Sequence, residues 1–229
     1  MLGALDACFS KGDLVLRQDV SDFEDTLAKY TGTKYAVAVN SGTDALFLAL
    51  KVLGIGQGDE VITVSHTFIG TIQAIVHNQA TPILVDVGQD ELIDVSKIEA
   101  TITPRTKAIL PVHFHGKIAN NDVIMELAKK YNLYVIEDAA QAFGAEMEDK
   151  KVGAYGDIGC FSLYPAKILG VWGDGGMITT NDPNLYDWIY RYRNHGMVNR
   201  DEVAHYCCNS LLDSMQAIVG NYLIQETKV

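Results

Sequence analysis

The stretch YAVAVNSGTDALFLALKVLG, residues 35–54, joins a short apolar run to a helical pattern through a turn of small polar residues. An apolar run without alternation is typical of a strand buried on both faces, as in a parallel sheet covered by helices. The chain repeats this arrangement. Further apolar runs stand at 60–64, 82–87, 107–112 and 133–138, and helix-like stretches stand at 43–54, 68–78 and 121–132. The sequence therefore predicts an α/β fold, with a mainly parallel sheet flanked by helices on both sides.

Other parts of the chain predict further helices and strands. A first helix, about 19–31, would be capped by Asp19 or Ser21 and ended by Gly32. GCFSLY (159–164) and GGMITT (175–180) read as strands without a long helix between them, so some pairing is expected to be antiparallel. A helix is expected from Pro183 through Arg193, and a last one from Ser210 to the chain end.

Length and composition indicate one large domain with a substantial core. The chain has 229 residues, of which 48% are hydrophobic and 21% charged. No apolar run approaches the roughly 18 residues that a membrane-spanning helix needs, and the start, MLGALDACFSKGD, does not read as a signal peptide. We therefore expect a cytoplasmic protein without a membrane partner.

The charge balance excludes a general nucleic-acid binder. The formal net charge is −11, with 18 basic against 29 acidic residues, and the basic residues do not cluster. Binding to a phosphate backbone needs clustered Lys and Arg. An anionic ligand must therefore be held locally, by backbone amides and a few placed side chains.

The four cysteines do not form a recognisable framework. Cys8, Cys160, Cys207 and Cys208 match neither a CxxC pair nor the even spacing of a disulfide-rich domain. A bond between the adjacent Cys207 and Cys208 would be geometrically awkward. Reduced thiols are the expectation.

Polar residues follow the predicted strands, at the edge where ligands of open α/β sheets bind. These segments are Asn40–Thr43, Ser65–Phe68, His113–Gly116 and Asp138–Gln141. The first opens a helix, whose free N–H groups and positive end would suit a phosphate. The same residues also suit simple helix capping, so this segment alone does not decide between the two interpretations.

Two ionisable residues stand out. Asp138 ends an apolar strand, where an ionised carboxylate needs a cationic or hydrogen-bonding partner. A protonated pyridine nitrogen would be one partner, and capping through Ala139 and Ala140 is the alternative. Lys167 follows an apolar strand and precedes a glycine-rich loop, 170–176. A strand and a glycine-rich loop on either side can shield a lysine side chain from water, and reactions of its amine with carbonyl compounds require this shielding. Most lysines, however, are simply solvated.

Five motifs together resemble one family. NSGTDAL (40–46), ITPRTKAILPVHFHG (102–116), VIEDAAQAFGA (135–145), GDIGCFSLYPAK (156–167) and GDGGMITTND (173–182) occur in the order and at the separations typical of the DegT/DnrJ/EryC1/StrS sugar aminotransferases. The likeness runs from about Phe23 to Ala217. It implies a fold-type-I enzyme that depends on pyridoxal 5'-phosphate, with a seven-stranded-type sheet in its large domain.

The resemblance also implies roles for residues around the cofactor. Lys167 would bind the cofactor covalently and move the reacting proton, and Asp138 would keep the pyridine nitrogen protonated. The phosphate contacts would come from Ser41, Gly42, Thr43 and Ser162. Gln141 would lie near the ring hydroxyl, and Phe68 would cover a ring face.

Further implied roles concern the substrate and a second subunit. The residues expected near the substrate are His66, Tyr164, Asn194 and His195. Asn209 would reach the phosphate of a neighbouring subunit, which predicts a homodimer. Glutamate would donate an amino group to a nucleotide-linked keto-sugar, a step in making deoxyamino sugars for lipopolysaccharide, other surface polysaccharides or secondary metabolites. A lysine at position 167 favours transamination over the dehydration carried out by relatives with histidine there.

The chain departs from the family pattern in three places. Family members are longer and continue into a small second domain, so residues 1–229 would be the cofactor-binding large domain with the small domain largely missing. Leu211 stands where an arginine is expected, and Cys207-Cys208 replaces a stretch that usually ends Gly-Tyr. These departures predict a partial gene product whose own activity is in question.

Three alternatives remain at this point. A zinc hydrolase would use His113, His115 and His195 or a cysteine, although no third ligand has a recognisable spacing and we expect no metal. A second alternative is a catalytically impaired homologue that binds the cofactor or a sugar nucleotide. The third is another fold-type-I enzyme, such as a cysteine desulfurase or a threonine aldolase.

Overall fold

The apolar runs form the strands of a seven-stranded sheet in the computed structural model, which describes residues 1–12 and 14–227. In chain order the strands are β1 (Tyr35–Val39), β2 (Glu60–Val64), β3 (Thr81–Val85), β4 (Thr106–Leu110), β5 (Tyr134–Asp138), β6 (Glu146–Met147), β7 (Lys150–Lys151), β8 (Ile158–Ser162) and β9 (Gly176–Thr180). The order across the large sheet is β1-β9-β8-β5-β4-β2-β3, and β6 and β7 form a separate hairpin.

Helices cover both faces of the sheet. They are α1 (Leu2–Lys11), α2 (Gln18–Thr31), α3 (Gly42–Val52), α4 (Ile69–His77), α5 (Val95–Ile98), α6 (Asn121–Tyr131), α7 (Pro183–Tyr192) and α8 (Ser214–Glu226), with a 3₁₀ turn at Glu99–Thr101. Within the described ranges, none of these helices combines the length and the apolar character needed to cross a membrane.

The pairing of the strands confirms the mainly parallel sheet. The neighbours β3, β2, β4, β5 and β8 run parallel, whereas β9 is antiparallel to both β8 and β1. The loop between β8 and β9 contains no helix, so the chain turns back beside β8, as the short spacing of the two motifs predicted. Because β1 and β8 are both antiparallel to β9, the carboxyl ends of β1, β5 and β8 meet at one edge.

Alternate residues of β1 belong to two separate cores. Val37 and Val39 pack in the cluster with α3, α4, α6 and α7, and Ala36 and Ala38 pack in the cluster with α2 and α8. Both faces of this strand are therefore buried, which explains its apolar run. On the second face α2 and α8 approach so closely that a Cβ added at Gly220 would overlap the ring of Phe23.

The start of the chain differs from expectation. Helix α1 had no predicted counterpart, since its apolar residues show little sidedness: Leu2 and Phe9 are exposed and Cys8 is buried. The predicted caps of the next helix, Asp19 and Ser21, are wrong. Helix α2 begins at Gln18, and Asp19 lies in its first turn as an ion-pair partner of Arg17 at 2.9 Å. Gly32 ends the helix in the left-handed conformation (φ 77°), as predicted.

The last helix begins four residues later than predicted. Ser210 does not cap it, because its hydroxyl accepts from the N–H of Asn40 (3.2 Å) and donates to Asp44 (2.7 Å), while its backbone N–H donates to the carbonyl oxygen of Arg193 (2.8 Å). The chain therefore stays extended until α8 starts at Ser214. Residues 228 and 229, to which the predicted helix ran, lie outside the described residues.

Candidate active site

A cavity of about 610 Å³ opens at the edge where β1, β5 and β8 end. It brings together nine of the residues predicted to form a site: Ser41, Gly42, Thr43, Phe68, Asp138, Gln141, Ser162, Tyr164 and Lys167. These residues are spread over 127 positions of the chain, so the sheet topology alone explains their meeting.

One wall is the amino end of α3. Ser41 caps this helix, since its Oγ accepts a hydrogen bond from the N–H of Asp44 at 3.0 Å. In the part of the chain that the structure describes, the N–H groups of Gly42 and Thr43 have no acceptor. Capping and anion binding are therefore compatible here: the cap fixes the turn and leaves two donors free at the positive end of a helix.

Glycines allow this wall to approach β8 and β9 closely. A Cβ added at Gly42 would lie 2.7 Å from the Cβ of Ser162, and one added at Gly176 would overlap the carbonyl oxygen of Ser41. Any side chain at these positions would push the turn away from the sheet. Since Gly42 has none, the Ser162 side chain lies beside the free donors of α3.

Asp138 lies buried in the cavity wall, with both carboxylate oxygens in hydrogen bonds. Its Oδ2 accepts from the hydroxyl of Thr71 (2.8 Å), and its Oδ1 accepts from the N–H of Ala140 (3.2 Å). The Thr71 hydroxyl in turn lies 2.7 Å from that of Thr67. The predicted contact to Ala140 is present, but no helix follows it, so Asp138 is not a helix cap.

Burial raises the pKa of Asp138 above the ordinary value for an aspartate. The hydrogen bonds from Thr71 and Ala140 act in the opposite direction, as does the charge of Lys167. Asp138 and Lys167 line the same cavity. A cationic ligand beside Asp138 would favour its ionised form.

Thr67 and Thr71 are site residues that sequence reasoning missed. Thr71 lies in the first turn of α4, on the edge where β2 ends. The spacing of four between the two threonines places them on one face of the chain entering the helix. That pattern, at a strand-to-helix junction, was the available signal.

The backbone around Asp138 is held by a buried pair, His113 and Glu137. The N–H of Ala119 donates to His113 Nδ1 (3.1 Å), so Nε2 carries the proton that it donates to Glu137 (3.0 Å). Burial alone would raise the pKa of Glu137, but hydrogen bonds from His113 and from the N–H groups of Gly153 and Gly156 lower it overall. Glu137 therefore ties β5 to the turn before β8.

The same geometry makes the zinc alternative wrong. Both ring nitrogens of His113 are engaged in the core, whereas His115 is exposed and stacks on Phe114 at 4.0 Å between ring centroids. His115 has φ 51°, so the segment is not extended and the two imidazoles do not share a side. The described residues contain no group of three or more candidate metal ligands.

Lys167 lies in a tightly closed loop between β8 and β9. The N–H of Leu163 donates to the carbonyl oxygen of Gly175, and the N–H of Val171 donates to that of Leu163, both at 2.8 Å. Within this loop a turn closes from the N–H of Lys167 to the carbonyl oxygen of Tyr164 (2.8 Å). A half-buried Lys167 side chain thus stands on a pinned loop in the wall of the cavity.

The mouth of the cavity is aromatic. Phe68, at the start of α4, is 68% exposed, and Tyr164 is 52% exposed. Gln141 lies deeper and its carbonyl oxygen accepts from the N–H of Gly116 (2.9 Å). The exposed rings leave a broad apolar surface at the entrance.

Four predicted site residues lie outside the cavity. His66 is exposed and packs against the Phe114 ring (4.4 Å between centroids). Asn194 and Asn209 pair as an isolated antiparallel bridge, and the N–H of His195 donates to the carbonyl oxygen of Cys208 (2.9 Å). This chain alone does not bring these four to the cavity, and their roles stay predictions.

The cavity fits the pyridoxal phosphate that the sequence resemblance implies. It offers free N–H donors at a helix amino end for a phosphate, a buried carboxylate for a protonated ring nitrogen, and an amine for covalent attachment. The close approach of Gly42 to Ser162 places a hydroxyl beside those donors. All three requirements of the cofactor are met within one cavity.

Comparisons with known proteins identify the family that the sequence motifs resemble. The DegT/DnrJ/EryC1/StrS aminotransferase family model matches residues 2–227. The dTDP-3-amino-3,4,6-trideoxy-alpha-D-glucose transaminase of Streptomyces venezuelae is 44% identical over 219 residues, which are 94% of this chain and 57% of that protein. The UDP-N-acetyl-3-dehydro-alpha-D-glucosamine 3-aminotransferase of Acidithiobacillus ferrooxidans is 49% identical over 199 residues, 86% of this chain and 53% of that protein.

A solved structure shows the same fold. S. venezuelae DesV, in complex with a ketimine intermediate, superimposes with a TM-score of 0.95 at 42% identity, covering 98% of this chain and 61% of that one. The chain thus spans a little over half the length of the relatives it matches. The family depends on pyridoxal phosphate. The five sequence motifs of this chain, the strand order of its sheet and these comparisons lead to one conclusion: the chain belongs to the DegT/DnrJ/EryC1/StrS aminotransferase family.

Proposed function

We propose that this chain is the cofactor-binding part of an aminotransferase that moves an amino group from glutamate to a nucleotide-linked keto-sugar. The observation that carries the proposal is that Lys167 and Asp138 line one cavity with the amino end of α3. Relatives named for reactions on dTDP- and UDP-linked sugars support the substrate class. The product would be a deoxyamino sugar for a surface polysaccharide or a secondary metabolite, made in the cytoplasm.

Asp138 would hold the proton at the ring nitrogen of the cofactor. A buried carboxylate with a raised pKa gains from a cationic partner, because the pair removes the penalty of its isolated charge. Thr71 and Ala140 fix the orientation of the carboxylate through its two oxygens. When bound, pyridoxal phosphate supplies a ring that accepts electrons from the carbon whose proton is removed.

Lys167 would attach the cofactor and move that proton. Its Nζ is a base once the amino substrate has displaced it, and the pinned loop between β8 and β9 keeps it beside the cavity. A lysine on such a loop returns to the same place after each proton transfer. Catalysis by proximity requires this, because the base must lie close to the reacting atom.

Gly42, Thr43 and Ser162 would hold the phosphate, with Ser41 fixing the turn through its cap. Phe68 would cover one ring face, and Gln141 would lie near the ring hydroxyl. These contacts are compatible with a net charge of −11, because they present local donors in place of a basic surface.

A second copy of the chain would complete the site. Asn209 is exposed and lies outside the cavity, which suits a residue that reaches a neighbouring subunit. His66, Asn194 and His195 would then contact the sugar substrate from the edge of the site. Chromatography with light scattering should give the mass of a dimer, and an Asn209→Ala protein should bind the cofactor more weakly without losing its fold.

A second candidate function is cofactor binding without turnover. It is favoured by the open mouth of the cavity, where Phe68 and Tyr164 are more than half exposed. An exposed mouth excludes water poorly, and turnover depends on that exclusion.

An amino-transfer assay separates the two functions. The protein, supplied with pyridoxal phosphate, glutamate and a panel of dTDP-, UDP- and GDP-linked 3-keto and 4-keto sugars, should produce 2-oxoglutarate and an amino sugar in equal amounts. Cofactor binding without either product would support the second candidate. Transfer to other acceptors, or sulfur release from cysteine, would contradict the sugar aminotransferase.

A further inference from the structure

Cys207 and Cys208 form a pair of adjacent thiols outside the cavity. Their Sγ atoms lie 3.6 Å apart, both thiols are free, and both side chains are half-buried against the cluster that includes α3 and α7. The other two cysteines, Cys8 and Cys160, are buried. The pair therefore combines proximity with access from solvent.

The backbone around the pair is fixed. The carbonyl oxygen of Cys208 accepts from the N–H of His195 (2.9 Å), and the N–H of Ser210 donates to the carbonyl oxygen of Arg193 (2.8 Å). Arg193 is itself buried and paired with Glu24. The two sulfur atoms are consequently held near each other by a segment that is anchored on the core.

The two thiols are chemically unequal. A hydrogen bond from the Cys207 thiol lowers the pKa of Cys208 to about 7, and the same interaction raises the pKa of Cys207. The charged and titratable groups that face the pair are Asp44 and Lys51 on α3 and Tyr192 on α7. Asp44 opposes ionisation of Cys208, and its effect is smaller than that of Cys207.

We propose that Cys207 and Cys208 are a redox site, which small disulfides of the glutathione type oxidise reversibly to a disulfide between the two adjacent residues. The Cys208 thiolate attacks one sulfur of the small disulfide, forms a mixed disulfide and releases one thiolate. Cys207 then loses its proton to solvent and attacks the Cys208 sulfur, which releases the second thiolate. The two cysteines lose two electrons, and the small disulfide becomes two thiols.

The product would be easy to reduce. Adjacent Cα atoms are only about 3.8 Å apart, whereas disulfides usually need at least roughly 4.4 Å. A strained disulfide has a high reduction potential and is opened readily by thiols. The geometry thus indicates a reversible site and not a structural bridge.

Mass spectrometry of one peptide tests the proposal. The full chain is incubated with mixtures of reduced and oxidised glutathione, quenched in acid, alkylated and digested with trypsin. Peptide 201–228 contains both residues of the pair and no other cysteine. The expected result is a loss of two hydrogens from this peptide in the oxidised samples and their return after dithiothreitol.

Two single variants serve as matched controls, each checked for a native circular dichroism spectrum. Cys207→Ser should stop at glutathione bound to Cys208. Cys208→Ser should stop at glutathione bound to Cys207, so neither single variant should show the loss of two hydrogens. A pair that stays reduced in excess oxidised glutathione, a stable mixed disulfide in the unaltered protein, or a bond between two chains on a non-reducing gel would overturn the proposal.

Discussion

Thr71, in the first turn of α4, donates a hydrogen bond of 2.8 Å to the buried carboxylate of Asp138 at the end of β5. The two residues are 67 positions apart in the chain, and their contact fixes which way the carboxylate faces within the cavity. A carboxylate that must meet a ring nitrogen needs such support, because a small misorientation weakens the pairing.

Removing this hydroxyl should weaken cofactor binding. Thr71→Val keeps the shape of the side chain but loses the hydrogen bond, a change of about 1 kcal/mol, so the dissociation constant for pyridoxal phosphate should rise roughly fivefold. Absorbance titration measures it. Thr71→Ser retains the hydroxyl and should bind nearly as the unaltered protein does. Equal binding by all three proteins would show that Thr71 does not orient Asp138.

In the absence of cofactor, the stability of Asp138→Asn relative to that of the unaltered protein should increase as the pH rises. The folded state holds the pKa of Asp138 above its unfolded value, so its contribution to stability is complete below the ordinary pKa of an aspartate and is lost as the pH rises through the raised folded pKa. The asparagine variant does not titrate there. Its amide can accept from the Ala140 N–H and donate to Thr71.

Urea unfolding at a series of pH values measures this difference. The free energy of unfolding of Asp138→Asn, minus that of the unaltered protein, should increase with pH above about 4. Other titrating groups cancel in the subtraction. A difference that stays constant or falls would mean that burial does not raise the pKa of this carboxyl.

Gly42→Ala should disrupt the phosphate-binding turn. The new Cβ would lie 2.7 Å from the Cβ of Ser162, so the turn or β8 must shift, at about 1 to 3 kcal/mol of stability. Cofactor affinity should fall with it. Gly3→Ala is the control, because nothing lies within 4 Å of its added Cβ in α1 and the change should be neutral or slightly stabilising. Thermal melting and cofactor titration distinguish the two glycines.

Glu24 and Arg193 form a buried ion pair that joins α2 to the segment after α7. Glu24 is 5% exposed and Arg193 is 2% exposed, and the arginine also donates to the carbonyl oxygen of Ala38 (2.8 Å). Glu24→Ala leaves a buried charge without its partner and should lower the free energy of unfolding by about 3 to 5 kcal/mol.

Denaturant unfolding measures the free energy of unfolding of these variants. A double variant, Glu24→Leu with Arg193→Met, replaces both charges by apolar side chains and should recover most of the loss. A double variant that is as unstable as Glu24→Ala would show that the loss comes from packing and not from an unpaired charge.

The sequence predicted the centre of this molecule well. The strands that are buried on both faces, such as β1 and β2, were located to the residue, because burial on both faces leaves a short, mostly apolar run. The ends were predicted less well. Helix α1 has no clear apolar face, and Ser210 looks like a helix start although a long-range hydrogen bond to Asp44 keeps it extended.

The candidate site, too, was predicted in part and missed in part. Nine residues were predicted from motifs at strand ends and lie around one cavity. Thr71 was missed because its contact with Asp138 joins distant parts of the chain, and the spacing of Thr67 and Thr71 is only a weak local signal. The Cys207-Cys208 pair is obvious in the sequence, but the inequality of its thiols depends on the fold around it.

Covalent attachment of the cofactor to Lys167 is the central claim, and borohydride labelling tests it most directly. The purified chain is mixed with pyridoxal phosphate, reduced with borohydride, digested and sequenced by mass spectrometry. We expect a yellow protein before reduction, with the cofactor fixed to Lys167 afterwards, and no labelling of the cavity in a folded Lys167→Ala protein. Labelling that falls on other lysines, or that is unchanged in Lys167→Ala, would contradict it.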